Sequence, residues 1–380
     1  MVFMLSLSGH RFLWLSYFVI IRAILIDLGA LMAGSVVQEL KSILEKRIMV
    51  LDGAMGTSIQ GYKLDEADFR KGHFEDHPSP LKGNNDLLSI TRPDIIEEIH
   101  DSYFAIGADF ASTNAFSGTT IAQADYNLEN AVYQINYESA QCARRSADRW
   151  TAKTPDQPRY VVGCLGPTNR TASISPDVND PGKRLVTFDE LVTAYRQAAD
   201  ALIDGGTDII MIETVFDTLN AKAALFAVIQ MKEERQLDTP VMISGTITDA
   251  SGRTLSGQTA EAFWISLMHG GLMSIGLNCA LGAKDMLPHI KLLDKNATCL
   301  ISAHPNAGLP NEFGEYDETP EQMAEQVRPF LSEGHVNIIG GCCGTTPAHI
   351  AALKKLADEY SPRPIPENFH ALDATPKGDK

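Results

Sequence analysis

From Ile48 onward the chain repeats one pattern eight times: a short apolar run, then a longer segment with helical spacing. The runs are Ile48–Leu51, Asp109–Thr113, Tyr160–Gly163, Asp208–Ile212, Val241–Gly245, Ser274–Leu277, Cys299–Ser302 and Asn337–Gly340. The segments between them place apolar residues on one helical face, as in Ile95, Ile96, Ile99 and Tyr103. Several open with cap chemistry, namely Thr187 before Asp189-Glu190, Thr319-Pro320 and Thr346-Pro347. Alternating strands and helices predict a parallel sheet, because parallel strands need a crossover helix. Eight units in about 310 residues predict an α/β fold, a single-domain (β/α)8 TIM barrel over 32–360; a doubly wound open sheet is the runner-up. The long polar connection from Thr57 to Pro93 is expected to act as a lid. The proline-dotted segment Ser361–Lys380 is expected to be an extended, mobile tail.

In such a barrel the active site lies at the carboxyl ends of the strands. Those ends carry Asp52-Gly53, Thr113-Asn114, Glu213-Thr214, Asn278-Cys279, His304-Pro305-Asn306 and Cys342-Cys343-Gly344. Three of the six cysteines thus share one rim. A zinc ion takes thiolates in a tetrahedral shell, and a catalytic site leaves one position open. Cys279, Cys342 and Cys343 supply three soft ligands, and Gly340, Gly341 and Gly344 are expected to let the backbone turn both adjacent thiols inward. A buried pair of small residues or a vicinal disulfide is the other reading of Cys342-Cys343. Cys142, Cys164 and Cys299 read as packing residues.

Asp52 and Glu213 form an anionic pair that suits a substrate ammonium group, with local capping as the alternative. Gly53 and Gly56 leave room for backbone N–H groups to meet a carboxylate. A metal–thiolate centre beside these two subsites fits a thiol amino acid. His73, His77, His304 and His335 lack metal-ligand spacing and read as structural, His304 being the nearest to the site.

Composition excludes other classes. The net charge is −16, with Lys+Arg 32 against Asp+Glu 48, which argues against a nucleic-acid binder. Six cysteines are too few for a disulfide scaffold and fit a cytoplasmic protein. No phosphate-loop motif is present. Residues 1–31 are apolar in part, but Arg22 would fall near mid-bilayer at a cost of about 2.5–3.5 kcal/mol, so no membrane is expected. Those residues are read as an upstream extension, with translation starting at Met32; a signal or anchor segment and an extra helix are the alternatives.

These features resemble the homocysteine S-methyltransferase family. The likeness is strongest to the homocysteine-binding amino-terminal module of cobalamin-dependent methionine synthase. It is carried by VLDGAMGTSIQ (50–60), LKGNNDLLSITRPDII (81–96), GPTNRTASISPDVNDPG (166–182), DIIMIETVFDTLNAKAALFA (208–227), GLNCALGA (276–283), HPNAGLPNEFGEYDETP (304–320) and GGCCGTTPAHI (340–350). The resemblance implies zinc held by Cys279, Cys342 and Cys343, with Asn306 completing the shell before substrate arrives. It implies that Asp52 and Glu213 hold the amino group of L-homocysteine, and that Gly53 and Thr113 lie near its carboxylate. The implied reaction is methyl transfer to the homocysteine thiol, giving L-methionine. Folate, cobalamin and activation modules have no counterpart in this sequence. Methylcobalamin, recharged from 5-methyltetrahydrofolate, is therefore expected on a partner protein that carries the folate and cobalamin modules. A stand-alone enzyme using betaine or S-methylmethionine, and a non-catalytic zinc- and homocysteine-binding subunit or fragment, are the alternatives.

Overall fold

The computed structural model describes residues 36–248 and 251–372. The expectations for residues 1–31 and for the last eight residues of the tail lie outside the described residues. Eight parallel strands form one sheet: β1 (Met49–Val50), β2 (Phe110–Ser112), β3 (Tyr160–Leu165), β4 (Ile209–Val215), β5 (Val241–Gly245), β6 (Ser274–Gly282), β7 (Leu300–Asn306) and β8 (Ile338–Ile339). Their order is β1-β8-β7-β6-β5-β4-β3-β2, and a parallel bridge between Leu51 and Phe110 joins the two ends. The chain is a single-domain TIM barrel.

A helix follows each strand. The eight are Pro93–Ala105, Val132–Lys153, Phe188–Asp204, Thr218–Arg235, Ala260–Leu267, Ala283–Asn296, Pro320–Ser332 and Pro347–Ala357. The caps act as the sequence predicts. Thr187 and Glu190 form a capping box, as do Thr319 with Gln322 and Thr346 with His349. Each box satisfies N–H groups that a helix start otherwise leaves without a partner.

Register and packing fix which residues look inward. A Cβ on Gly163 would meet Leu202 of the helix Phe188–Asp204, so Gly163 faces the helices. Its neighbour Cys164 therefore faces the barrel interior. Following the pairings Cys164–Met211, Met211–Met242, Ser244–Gly276, Gly276–Ser302 and Asn278–His304, the interior face includes Ser244, Asn278, Ser302 and His304. The largest buried side chains are apolar or aromatic, among them Tyr103, Phe104, Phe110, Phe263 and Phe330.

Two segments differ from expectation. The connection after β1, expected as a polar lid, is not irregular. It folds into short helical turns that bury Phe69, Phe74, Leu81, Leu87 and Leu88, because its apolar residues find core partners. The tail is extended as far as Leu372 but anchored rather than mobile. The Arg363 guanidinium bonds Asp294 and the carbonyls of Ala297 and Cys299, and Phe369 and Leu372 are buried. Among the described residues no helix is long and apolar enough to cross a membrane.

Candidate metal centre and amino-acid pocket

β4, β6 and β7 each run further than their apolar cores, and these extensions build the site. β6 continues through Asn278, Cys279 and Ala280 to Gly282, with a register shift between Asn278 and Gly282. Cys279 and Ala280 take left-handed backbone, at φ 58° and 57°. Such conformations strain residues with a Cβ and persist where surrounding contacts hold them. This break turns the Cys279 thiol toward the end of β8.

There it meets Cys342 and Cys343. The three Sγ atoms lie within 4.8 Å of one another, and Cys279 and Cys343 are 3.5 Å apart. The bend that brings in both adjacent thiols relies on Gly344, at φ +79°. Gly340 and Gly341 serve a different purpose from the one expected. A Cβ at Gly340 would meet Leu51 at 2.9 Å, and one at Gly341 would meet Thr345 at 2.5 Å, so both are needed for close approach. Cys343 accepts hydrogen bonds from Cys279 and Cys342, which favours its thiolate and holds its pKa below the usual thiol range.

Asn306 lies beside this cluster. The Cys342 N–H donates to the Pro305 carbonyl at 2.9 Å and the Ala307 N–H to the Cys343 carbonyl at 3.0 Å, which brackets Asn306 against the two thiols. Its Oδ1 is buried and has no protein partner. A buried carbonyl oxygen without a donor, on the strand end that pairs with the two cysteines, suits a cation, and the three thiols fit zinc.

Asp52 and Glu213 occupy other strand ends on the same mouth. Asp52 is buried and accepts from the Ser112 N–H at 2.9 Å and the Ser112 hydroxyl at 2.5 Å. Burial pushes its carboxyl up to about 8 even against those bonds. Burial likewise pushes Glu213 up to about 7. Asp86, buried like Asp52, accepts from the Ser117 N–H at 3.1 Å and is pushed by burial to about 6. These raised carboxyls, Asp52 and Asp86 buried and Glu213 half-buried, suit a cationic group. Thr113 is buried at the end of β2, and its hydroxyl accepts from the Cys164 N–H at 2.9 Å. Gly53 packs so tightly that a Cβ would meet the Thr345 hydroxyl at 2.6 Å.

Cys142 and Cys299 are buried away from the cluster, whereas Cys164, expected to be a packing residue, is buried beside Glu213 and its thiol donates to that carboxyl. His335 is tied to Asp294 and Glu333. His304 is buried inside the barrel with its Nε2 unpartnered, and burial lowers its pKa to about 4.

The family model described as Homocysteine S-methyltransferase matches residues 49–357. The chain belongs to the homocysteine S-methyltransferase family. Solved structures agree on the fold. The metallated form of the homocysteine methyltransferase MmuM from Escherichia coli superposes with a TM-score of 0.64 at 23% identity, covering 82% of this chain and 96% of that one. The oxidized form gives 0.66 at 22% identity, covering 83% and 98%.

Sequence reasoning assigned no role to four residues of this methyltransferase site. Ser112 and Asp86 sit beside named residues, but hydroxyls and loop acids are common there. Thr214 takes left-handed backbone at φ 55°, which nothing in its side chain signals. Asn278 stood at a strand end, yet only the fold shows what its amide reaches.

Proposed function

We propose that this protein transfers a methyl group to the thiol of L-homocysteine, giving L-methionine, with zinc held by Cys279, Cys342 and Cys343. The reading is carried by one observation: three thiols from two strand ends lie within 4.8 Å of one another at a barrel mouth that also holds buried carboxylates. A bound zinc ion supplies the Lewis acidity that keeps a substrate thiol deprotonated and nucleophilic at neutral pH. Asn306, whose buried Oδ1 has no protein partner, would be a further residue able to hold the ion in the absence of substrate.

Asp52 and Glu213 receive the substrate ammonium group, whose positive charge offsets the burial that keeps these acids protonated. Gly53 and Thr113 lie against the substrate carboxylate. The three cysteine thiolates contribute negative charge that keeps the neighbouring sulfur electron-rich. In the transfer a sulfur–carbon bond forms, the donor–methyl bond breaks, and the thiol proton is released to solvent.

The donor is methylcobalamin presented by a partner protein, itself recharged from 5-methyltetrahydrofolate. Exposed apolar side chains on the loops after β3, β5 and β7 support this, among them Val178, Leu185, Leu255, Leu309 and Phe313. Phe313 is 80% exposed, on the loop that leaves β7 beside the thiols. Apolar groups so placed favour a macromolecular donor over a small one. The test is methionine formation by the zinc-loaded protein with methylcobalamin, betaine and S-methylmethionine in turn. Turnover with methylcobalamin alone is expected. Turnover with either small donor alone would replace this reading with that of a self-sufficient enzyme.

A further inference from the structure

Asn278 uses its whole side-chain amide, in four bonds to three residues of the mouth. Its Oδ1 accepts from the Ser244 hydroxyl on β5 at 2.7 Å and from the Thr214 N–H on β4 at 3.1 Å. Its Nδ2 donates to the Thr214 hydroxyl at 2.8 Å and to the Cys342 sulfur at 3.7 Å. Asn278 itself is 2% exposed. One planar group thus joins β4, β5, β6 and the end of β8.

The places it joins are the strained ones. β4 shifts register between Ile212 and Val215, and Thr214 in that gap is left-handed. β6 shifts register just after Asn278, where Cys279 and Ala280 are left-handed. Left-handed backbone in residues with a Cβ is held by its surroundings. The two bonds to Thr214 hold one such break, and the side chain preceding Cys279 anchors the other.

We infer that Asn278 is a positioning residue for the thiol centre, locking the Cys279 backbone turn and donating an N–H···S hydrogen bond to Cys342. The inference rests on the metal reading above. An N–H donor draws electron density from a thiolate, so it strengthens the hold on that ligand's negative charge and lowers its donation to a metal. Of the three thiolates, Cys342 is the one Asn278 addresses. The bond therefore tempers one ligand and leaves the other two as strong donors.

The carbonyl side of the amide and the N–H side can be separated. Asn278→Asp keeps the size and the acceptor toward Ser244 and the Thr214 N–H but removes both Nδ2 bonds, to the Thr214 hydroxyl and to the Cys342 sulfur. Ser244→Ala removes one support and keeps the donor. The probe is cobalt(II) loaded in place of zinc, read by its sulfur-to-metal charge-transfer absorption and by competition with a chelator. Asn278→Asp is expected to shift the band to lower energy, as the sulfur regains electron density, and to weaken metal binding by about 10–100-fold, as the Nδ2 bond that holds the Thr214 turn is lost and a carboxylate faces the Cys342 sulfur. Ser244→Ala is expected to weaken binding by less, with the band unmoved. A band that stays in place in Asn278→Asp overturns the inference, as does an equal shift in Ser244→Ala.

A second measurement needs no variant. Wild-type protein loaded with cadmium-113 and labelled with nitrogen-15 at asparagine should show coupling between the metal and one asparagine side-chain N–H. Absence of that coupling in the metal-loaded protein overturns the inference alone. Wild-type protein that takes up neither metal overturns the metal reading and the inference with it.

Discussion

The two ends of the barrel solve opposite problems. At the amino-terminal end a polar residue just before a strand repeatedly accepts a backbone N–H from the neighbouring strand. Asp109 does this for Val50, Asp208 for Val161 and Asn337 for Ile301, at 2.7–3.0 Å. Asp109 also takes both guanidinium nitrogens of Arg47, and Asp208 pairs with Arg144. These contacts fix register, and their polar groups find partners within the protein. At the carboxyl-terminal end three residues with a Cβ are left-handed, His304 Nε2 and Asn306 Oδ1 lack protein partners, and burial pushes the Asp52 and Glu213 carboxyls up to about 8 and 7. Within the described strands, left-handed backbone in residues with a Cβ thus falls at the mouth, beside raised carboxyls that a ligand can relieve, while the opposite end secures the fold.

Four substitutions break or sharpen that contrast. The largest effect is expected at the mouth. Cys342→Ser should lose bound zinc and more than about 10³-fold of methyl-transfer activity, while the melting temperature of the metal-free protein changes little. Metal analysis and calorimetry on the same samples check both halves. At the opposite end Asp109→Ala leaves the Arg47 charge and the Val50 N–H without their partner, and about 3–5 kcal/mol of stability should go. Denaturant unfolding measures the loss, and the KM for homocysteine of the folded fraction should be unchanged.

Glu213→Gln removes a carboxylate from the proposed ammonium subsite, and homocysteine binding should weaken by about 10–100-fold with metal content intact. The same subsite sets a pH dependence. Asp52 and Glu213 sit near 8 and 7 in the free protein, so they are largely neutral at pH 6 and offer an ammonium group no charge. Homocysteine affinity should rise between pH 6 and 8, and a calorimetric titration showing it fall would remove these acids from the subsite.

The smallest effect is expected at His100, buried in the helix Pro93–Ala105 with both ring nitrogens unpartnered. Burial holds its pKa near 4, so the unfolded chain takes up a proton between pH 6.5 and 4 that the folded chain refuses. The stability it costs therefore grows as pH falls. His100→Leu should stabilise the protein by about 2 kcal/mol more at pH 5 than at pH 8. A loss of methyl transfer in that variant would show that unmet polar groups matter functionally beyond the mouth.

Element order and the rim residues were legible because both follow from periodicity: apolar runs mark strands, and whatever follows each run lies at the mouth. Strand length was not. Glu213-Thr214, Asn278–Gly282 and His304–Asn306 continue their strands with polar residues that face a ligand rather than the core, so the apolar pattern stops early. The left-handed turns at Thr214, Cys279 and Ala280 were invisible, since no glycine marks them. The crowding around Gly340 and Gly341 is a tertiary fact, and glycine alone does not distinguish it from turning freedom. The anchored tail was missed for a related reason. Prolines announce an extended chain, but Arg363, Phe369 and Leu372 find partners only once the barrel exists.

The central claim is that the thiol cluster works by holding zinc. It is tested by measuring zinc per chain and homocysteine methylation on one preparation, before chelation, after it and after zinc is returned. The account predicts one zinc per chain, activity that disappears with the metal, and recovery on its return. Full turnover by protein shown to hold no metal would contradict it.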